Sequence, residues 1–367
     1  MDVPILSKII LPALMAYIIC FAWMPMWLKV CTRWNLFDTP DERKQHANHT
    51  PNMGGIAIFI GTFVSFFIFS AFYQTPASGY LSAALMIMFF TGFFDDLLNI
   101  EALSKLFLQI LAALLIVAGD IKIVSFYGLF GINEIAPMFQ IPLTLLFVVS
   151  FTNAFNLIDG IDGLAGVLGV IMASVFGVMF YTAGNYTYTC LCFCVAGSLL
   201  SFLAFNLHPA KVFMGDTGSM IIGFMMAVMA IELLNQPFGN TLNSLEVSKL
   251  VFATLFVPIY DLIRVSIIRL IEKRSPLMAD RNHLHHMILR NGFRQTGTVF
   301  LIAFVNLTLI FFSIMAPSVG INSMIILSFL TCILFLNTFS LHLIHRMYGR
   351  LIGIDSKQAA QISSFRF

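Results

Sequence analysis

The sequence predicts an all-α fold, a polytopic transmembrane helix bundle of about eleven spans, and three observations carry that expectation. Only 10% of the 367 residues are charged and 59% are hydrophobic, whereas roughly 25% of a soluble domain is charged. Mean hydropathy is +0.90, and the apolar residues gather into runs near the roughly 20 residues a helix needs to cross hydrocarbon. Lysine and arginine are the third signal, because they fall between alternate runs. So few charges cannot cover a water-soluble surface, and the bilayer is the solvent for most of the chain.

The runs are 5–28, 54–73, 80–94, 106–120, 138–156, 164–182, 188–207, 218–234, 248–270, 298–316 and 322–344. The first is too long for a signal-peptide core, and no small-residue cleavage site follows it, so it reads as an uncleaved span. The run 80–94 is short and would rely on its neighbours or on local thinning. The glycine-rich stretch 120–137 has room for a small hairpin. With the N-terminus periplasmic and the C-terminus cytoplasmic, 17 of the 20 Lys and Arg fall inside, and only Lys8, Lys122 and Lys249 fall outside. The reverse orientation breaks the positive-inside rule almost completely. The chain therefore reads as one integral membrane domain, 1–367, ending in a cytoplasmic tail, 346–367.

Composition also excludes some chemistry. A net charge of +2 with no basic run gives no footing for nucleic acid. The six cysteines sit mostly inside apolar runs, without the spacing of a disulfide framework or a zinc site. They read as small packing residues.

The unusual polar residues cluster at the cytoplasmic ends of the runs. Asp95-Asp96 closes the third run, and Asn153, Asn156, Asp159 and Asp162 end the fifth. Asp216 opens the eighth, and His283, His285 and His286 lie between the ninth and tenth. Charge beside hydrocarbon is costly, so each group is a candidate functional site. Neighbouring carboxylates raise one another's pKa, which suits a general base, although a helix-end cap is the plainer reading of Asp95-Asp96. In Asn156-Leu-Ile-Asp159-Gly-Ile-Asp162-Gly both acids precede glycine, which lets the backbone approach a ligand. Amides at a helix start bind anions, and an acid there can hold Mg2+, which is the reading of Phe213-Met-Gly-Asp216. Lys105 alone is an ordinary snorkelling lysine. Asp261 and Arg264, three apart, read first as a structural ion pair. The spacing His283-Leu-His285-His286 is metal-like, yet the neighbouring Asp280 and Arg281 fit phosphate contacts better. Together these residues suit a phosphorylated ligand with a divalent metal bridging acid and phosphate oxygens.

Six motifs carry a resemblance. They are Asp38-Thr-Pro-Asp-Glu-Arg43-Lys-Gln-His46, Thr50-Pro-Asn-Met-Gly-Gly55, Gly92-Phe-Phe-Asp-Asp96, Asn153 through Leu164, Phe213 through Asp216, and Asp280 through His286. In that order, and on one face, they resemble the polyprenyl-phosphate N-acetylhexosamine-1-phosphate transferases, especially the bacterial enzymes that use undecaprenyl phosphate and UDP-GlcNAc. The resemblance implies transfer of GlcNAc 1-phosphate with release of UMP, as the first membrane step of an O-antigen or enterobacterial common antigen type of polysaccharide. It implies Mg2+, with Mn2+ as a substitute, and a multi-pass protein of the bacterial inner membrane whose active site faces the cytoplasm. It leaves a homodimer open as an assembly.

Residue by residue, the resemblance makes Asp95 the base that deprotonates or orients the lipid phosphate. Asp96 and Lys105 would lie beside that phosphate or the metal, Asp216 and Asn156 would be metal ligands, and Asp159 would support the metal and diphosphate region. Asp162 and Phe213 would contact uracil, and Arg281, His283, His285 and His286 would hold the diphosphate or sugar. The related transferase that uses UDP-MurNAc-pentapeptide differs in its late histidine pattern, and it is the alternative within the class. A secondary transporter is the alternative outside it, disfavoured because transporters set coupling groups near the bilayer midplane.

Overall fold

The computed structural model describes residues 6–34, 50–70, 77–129, 131–238, 242–273 and 282–333. Within them, each apolar run is met by a helix. A π-helical turn, Leu6–Ile10, leads into α1 (Leu11–Arg33), which is followed by α2 (Gly55–Ser70), α3 (Ala77–Leu98) and α4 (Ala102–Ala118). A hairpin of β1 (Ser125–Leu129) and β2 (Ile132–Glu134) fills the glycine-rich stretch, its strands antiparallel. Then come α5 (Pro137–Ile158), α6 (Leu164–Thr182), α7 (Tyr186–Asn206), α8 (Gly215–Asn235), α9 (Ser244–Ile271), the short α10 (Leu284–Arg290), α11 (Gln295–Met315) and α12 (Ile321–Cys332). Among the described residues eight helices are long and apolar enough to cross a membrane; α2, α4 and α12 are shorter apolar helices. The chain is an all-α, multi-pass membrane protein.

Two boundaries differ from the sequence reading in ways that matter to the site. The third run was expected to be short, yet α3 is 22 residues long and carries Asp95 and Asp96 within its last turn. That length reaches about 33 Å at 1.5 Å per residue, so no thinning is required. Likewise α4 begins at Ala102, four residues before the apolar run, and Lys105 stands in its first turn, at the helix start expected of it. The motif Asp38–His46, together with Asp280, Arg281 and the tail 346–367, lies outside the described residues.

The core is organised around α8. This helix is apolar all round, and nearly all its residues from Thr217 to Leu233 are buried, as expected of a helix with no face left for solvent or lipid. It packs against α3, α5, α2, α6 and α9. Glycines set the closest approaches. A Cβ on Gly55 would lie 2.1 Å from the backbone nitrogen of Gly218, and one on Gly92 would lie 2.5 Å from the Cα of Thr217. Small residues at such crossings let backbones meet, which is a main source of helix association where lipid supplies no hydrophobic drive.

The three lysines away from the basic end are each accommodated. Lys249, fully buried in α9, donates to the carbonyl oxygens of Ala316 (3.0 Å) and Pro317 (2.8 Å) just past α11. Lys8 sits 3.4 Å from the centroid of the Tyr186 ring, within cation–π range. Lys122 pairs with Asp120 at 2.8 Å.

These contacts rank two glycines. Gly55→Ala should lower the thermal midpoint of the purified protein by the equivalent of about 1–3 kcal/mol or more, as overpacking does. Gly79→Ala, where a Cβ meets nothing within 4 Å, should leave it unchanged or raise it. Equal midpoints for the two variants, measured by a thermal-shift assay in detergent, would contradict the close α2–α8 contact.

Candidate active site

The site is built on the start of α8. The first turn of any helix leaves backbone N–H groups without partners, and here another helix supplies the acceptor. The Asp96 carboxylate accepts from the backbone nitrogens of Asp216 (2.8 Å) and Thr217 (2.9 Å) and from the Thr217 hydroxyl (2.5 Å). Asn52 donates to it as well, at 3.2 Å. An anion at a helix amino end is stabilised by both hydrogen bonding and the dipole. Gly215 makes this junction feasible: its φ is +72°, and a Cβ there would lie 2.7 Å from both Asn52 Oδ1 and Asp96 Oδ2. The segment ahead of α2 runs alongside. Phe213 N donates to Pro51 O at 2.9 Å, Gly54 N to Phe213 O at 2.8 Å, and Gly55 N to Met214 O at 2.8 Å.

Asp216 then projects from the first turn of α8 into a cluster drawn from three other helices. Lys105 on α4 bridges Asp95 on α3 and Asp216, its Nζ lying 2.9 Å from Asp216 Oδ2. Asn156 on α5 donates to Asp216 Oδ1 and to the Ser219 hydroxyl, both at 2.8 Å. Asp95 is buried, while the Asp216 side chain keeps a third of its surface open. Asp95, Lys105, Asn156 and Asp216 thus share one cluster, with Asp96 directly behind Asp216.

Asp159 follows α5 on the turn that leads to α6. Burial first, and then the charges of Asp216, Asp96 and Asp162, push its carboxyl up to about 8. Asp162 has partners of its own on the loop after α7. Its carboxylate is paired with His208 Nδ1 at 2.7 Å and accepts from Ala210 N at 3.1 Å, and its side chain is only 1% exposed. Asn206 reinforces the same loop, accepting from Gly163 N (2.9 Å) and donating to Val212 O (2.8 Å). Asp162 therefore holds the loop that leads to Phe213, which is half-buried beside the Pro51–Gly54 segment.

The late histidines enter from another side. Asp261, expected to pair with Arg264, is bound more closely to His283 Nδ1 (2.9 Å) and to Leu284 N (2.9 Å), while Arg264 lies at 3.5 Å and donates to Asn282 O at 2.7 Å. The intrahelical pair is real but secondary, because the histidine loop folds back onto α9 and offers Asp261 stronger partners. His285 packs its ring on Gly160, where a Cβ would sit 2.2 Å from Nε2. That contact joins the histidine loop to the turn carrying Asp159. Burial first, and then the neighbouring His286, push His285 down to about 3, so it enters as a neutral ring. His286 lies against it, ring centroids 4.2 Å apart.

One ammonium among several carboxylates, open on one side, is an arrangement that can hold a cation and present it to an anionic ligand. Among the described residues no three His, Cys, Asp or Glu side chains form a metal-ligating group, so any metal held by Asp216 and Asn156 would need the remaining oxygens from ligand and water. Magnesium commonly binds in that way. Sequence reasoning gave no role to Asn52, Thr217, Ser219, Asn206 or His208. Asn52, Thr217 and Ser219 lay inside or beside stretches already singled out, whereas Asn206 and His208 are ordinary polar residues that carry no signal in one sequence.

The raised Asp159 carboxyl yields an expectation with a sign. The folded chain keeps the proton between about pH 4 and pH 8 while the unfolded chain releases it near 3.9, so this group lowers stability as pH rises through that window. In chelator, Asp159→Asn should raise the thermal midpoint at pH 8.5 and change it little at pH 4. A midpoint equal to that of the parent protein at both pH values would contradict the assigned environment.

A family model described as glycosyl transferase family 4 matches residues 78–234, a stretch that contains every site residue above except the histidine loop, Asp261, Arg264 and the Asn52 segment. The chain is 32% identical over 284 residues, 76% of each chain, to a Bacillus subtilis protein named "Probable undecaprenyl-phosphate N-acetylglucosaminyl 1-phosphate transferase". It is 30% identical over 281 residues, 75% of each chain, to the undecaprenyl-phosphate alpha-N-acetylglucosaminyl 1-phosphate transferase of Yersinia pestis. It is also 32% identical over 288 residues, 72% of this chain and 71% of the other, to the decaprenyl-phosphate N-acetylglucosaminephosphotransferase of Mycobacterium tuberculosis. With this cluster in place and relatives of this similarity along three quarters of its length, the chain belongs to the polyprenyl-phosphate N-acetylhexosamine-1-phosphate transferase family.

Proposed function

We propose that this protein transfers GlcNAc 1-phosphate from UDP-GlcNAc to undecaprenyl phosphate at the cytoplasmic face of the bacterial inner membrane, giving undecaprenyl-diphosphate-GlcNAc and UMP. The observation that carries the reading is the convergence of Asp95, Lys105, Asn156 and Asp216, from four helices, on one partly open point. Relatives named for undecaprenyl-phosphate GlcNAc-1-phosphate transfer support the donor and the carrier. The mycobacterial relatives are named for decaprenyl phosphate, so carrier length belongs to the proposal. So do eleven crossings, a periplasmic N-terminus and a cytoplasmic C-terminus, supported by the one-sided lysine and arginine distribution. Initiation of an O-antigen or common-antigen type of glycan rests on the family resemblance alone.

In this reading a lipid phosphate oxygen attacks the sugar-bearing phosphorus of the donor. A new P–O–P linkage forms, the bond from that phosphorus to the bridging oxygen breaks, and UMP leaves with that oxygen. The lipid phosphate is already a nucleophile, so no covalent enzyme intermediate is required. Asp95, buried beside Lys105, orients the attacking phosphate and takes any proton it still carries. Lys105 offsets charge at the phosphates, and the fixed cluster holds the reactants in line, where orientation and preorganised charge supply most of the acceleration. Asp216 and Asn156 would hold a Mg2+ ion, which when bound neutralises diphosphate charge and polarises the P–O bonds. Asp159 borders the diphosphate region. Phe213 offers a ring to uracil, at the end of the loop that Asp162 holds. His283, His286 and Arg281 would hold the diphosphate or sugar, and His285 would contribute as a neutral hydrogen-bonding ring.

Purified protein supplied with UDP-GlcNAc and undecaprenyl phosphate should release UMP and form lipid-linked GlcNAc diphosphate. UDP-MurNAc-pentapeptide should give no product. EDTA should abolish turnover, and Mg2+ or Mn2+ should restore it; unchanged rates in chelator would remove the metal from the mechanism. Asp216→Asn should lower kcat by about 100-fold or more, the scale of losing a fixed electrostatic group. Phe213→Ala should raise KM for the donor, and an unaltered KM would displace uracil from that ring.

A further inference from the structure

One turn deeper in the bundle than the acidic cluster, α4 and α5 are joined by a pair of side-chain amides. Gln109 Nε2 donates to Asn153 Oδ1 at 3.3 Å, and Asn153 Nδ2 donates back to Gln109 Oε1 at 2.9 Å. Asn153 Nδ2 also reaches the carbonyl of Val149 on its own helix, at 2.8 Å. Gln109 is buried. It stands four residues after Lys105, and Asn153 stands three before Asn156, so each amide lies on the same helix face as a member of the cluster. The two helices therefore meet in two rungs. The upper one runs from Lys105 through Asp216 to Asn156, and the lower one is the amide pair.

The lower rung is a costly way to fill space. An amide removed from water without partners loses several kcal/mol, and two apolar side chains would pack there without that demand. What the pair offers is direction. Much of α4 gives no directional information, because Leu103, Phe107, Leu111 and Leu114 are exposed on its outer surface. Apolar contacts of that kind permit a helix to turn or slide slightly at little cost, whereas a reciprocal amide pair is satisfied at only one rotation and one height.

We propose that the Gln109–Asn153 pair is a positioning device: it sets the rotation and height of α4 so that the Lys105 ammonium is delivered between Asp95 and Asp216. Its consequence for turnover rests on the transferase reading above, but its effect on Lys105 does not. Neither residue touches the reacting groups. They act through Lys105, where an error of about 1 Å is enough to cost orders of magnitude in rate.

The test compares the parent protein, Gln109→Leu/Asn153→Leu and the exchanged pair Gln109→Asn/Asn153→Gln. The measurements are thermal midpoint, kcat, KM for UDP-GlcNAc, and reductive methylation of Lys105 followed by peptide mass spectrometry. The double leucine variant leaves no amide unpaired, so its midpoint should stay near the parent value. Its kcat should nevertheless fall about 10- to 100-fold with KM little changed, and Lys105, released from its two carboxylates, should be methylated faster while Lys122 is not. The exchanged pair restores the reciprocal amides and should recover both kcat and protection of Lys105. Parent-like kcat and parent-like methylation in the double leucine variant would overturn the proposal. Should that variant fail to fold, a folded exchanged pair with an unprotected Lys105 would overturn it equally. If the parent protein turns over no donor at all, the transferase reading fails, and the methylation comparison still decides whether the pair sets Lys105.

Discussion

The Asp96 carboxylate closing the amino end of α8 is the contact on which the rest of the site depends. It fixes α3 to α8 through hydrogen bonds to two main-chain amides and a hydroxyl, and so determines where Asp216 emerges. Because Asp95 is the preceding residue on α3, the same contact also determines where Asp95 faces. Two adjacent acids are thereby divided. Asp96 is bonded to the start of α8, and Asp95 is turned toward Lys105. The glycines at 55, 92 and 215 are the steric counterpart of this arrangement, since each stands where a side chain would hold the helices apart.

Much of this was legible in the sequence, for a physical reason. Hydrocarbon tolerates few charged or strongly polar groups, so those that remain at helix ends stand out, and Asp95, Asn156, Asp159 and Asp216 stood out on that ground. The helices were legible because spanning segments must satisfy their backbones internally. The division of labour between Asp95 and Asp96 was not legible, because it depends on how α3 is rotated against α8, and neighbouring residues in a helix point about 100° apart. The Asp-Gly pattern marked Asp162 as a candidate for ligand contact, but its bonds to His208 and Ala210 were not legible, because those partners lie more than forty residues away in the chain. Asp261 looked like half of an intrahelical pair because its strongest partner lies 22 residues away. Gln109 gave no signal, since a single glutamine in an apolar helix acquires meaning only when Asn153 is seen opposite it.

The electrostatics of the cluster are deliberately unbalanced. Asp95 and Asp216 share the single ammonium of Lys105, with Asp96 behind Asp216, and at Asp159 burial first, and then the charges of Asp216, Asp96 and Asp162, raise the carboxyl to about 8. An anionic donor approaching such a surface meets repulsion unless a cation accompanies it. Under the proposed function the acid excess thus acts as selection. The site favours a diphosphate that arrives together with its counter-ion over a bare anion of similar shape.

The buried ammonium of Lys249 has a mechanical meaning at the far end of the molecule. It ties α9 to the carbonyls just beyond α11, and Asn306 adds bonds from α11 to the Ala253 and Thr254 carbonyls nearby. At the opposite end of α9, Asp261 holds His283 and the Leu284 amide and Arg264 holds the Asn282 carbonyl, so the helix that carries the histidine segment is fastened at both of its ends.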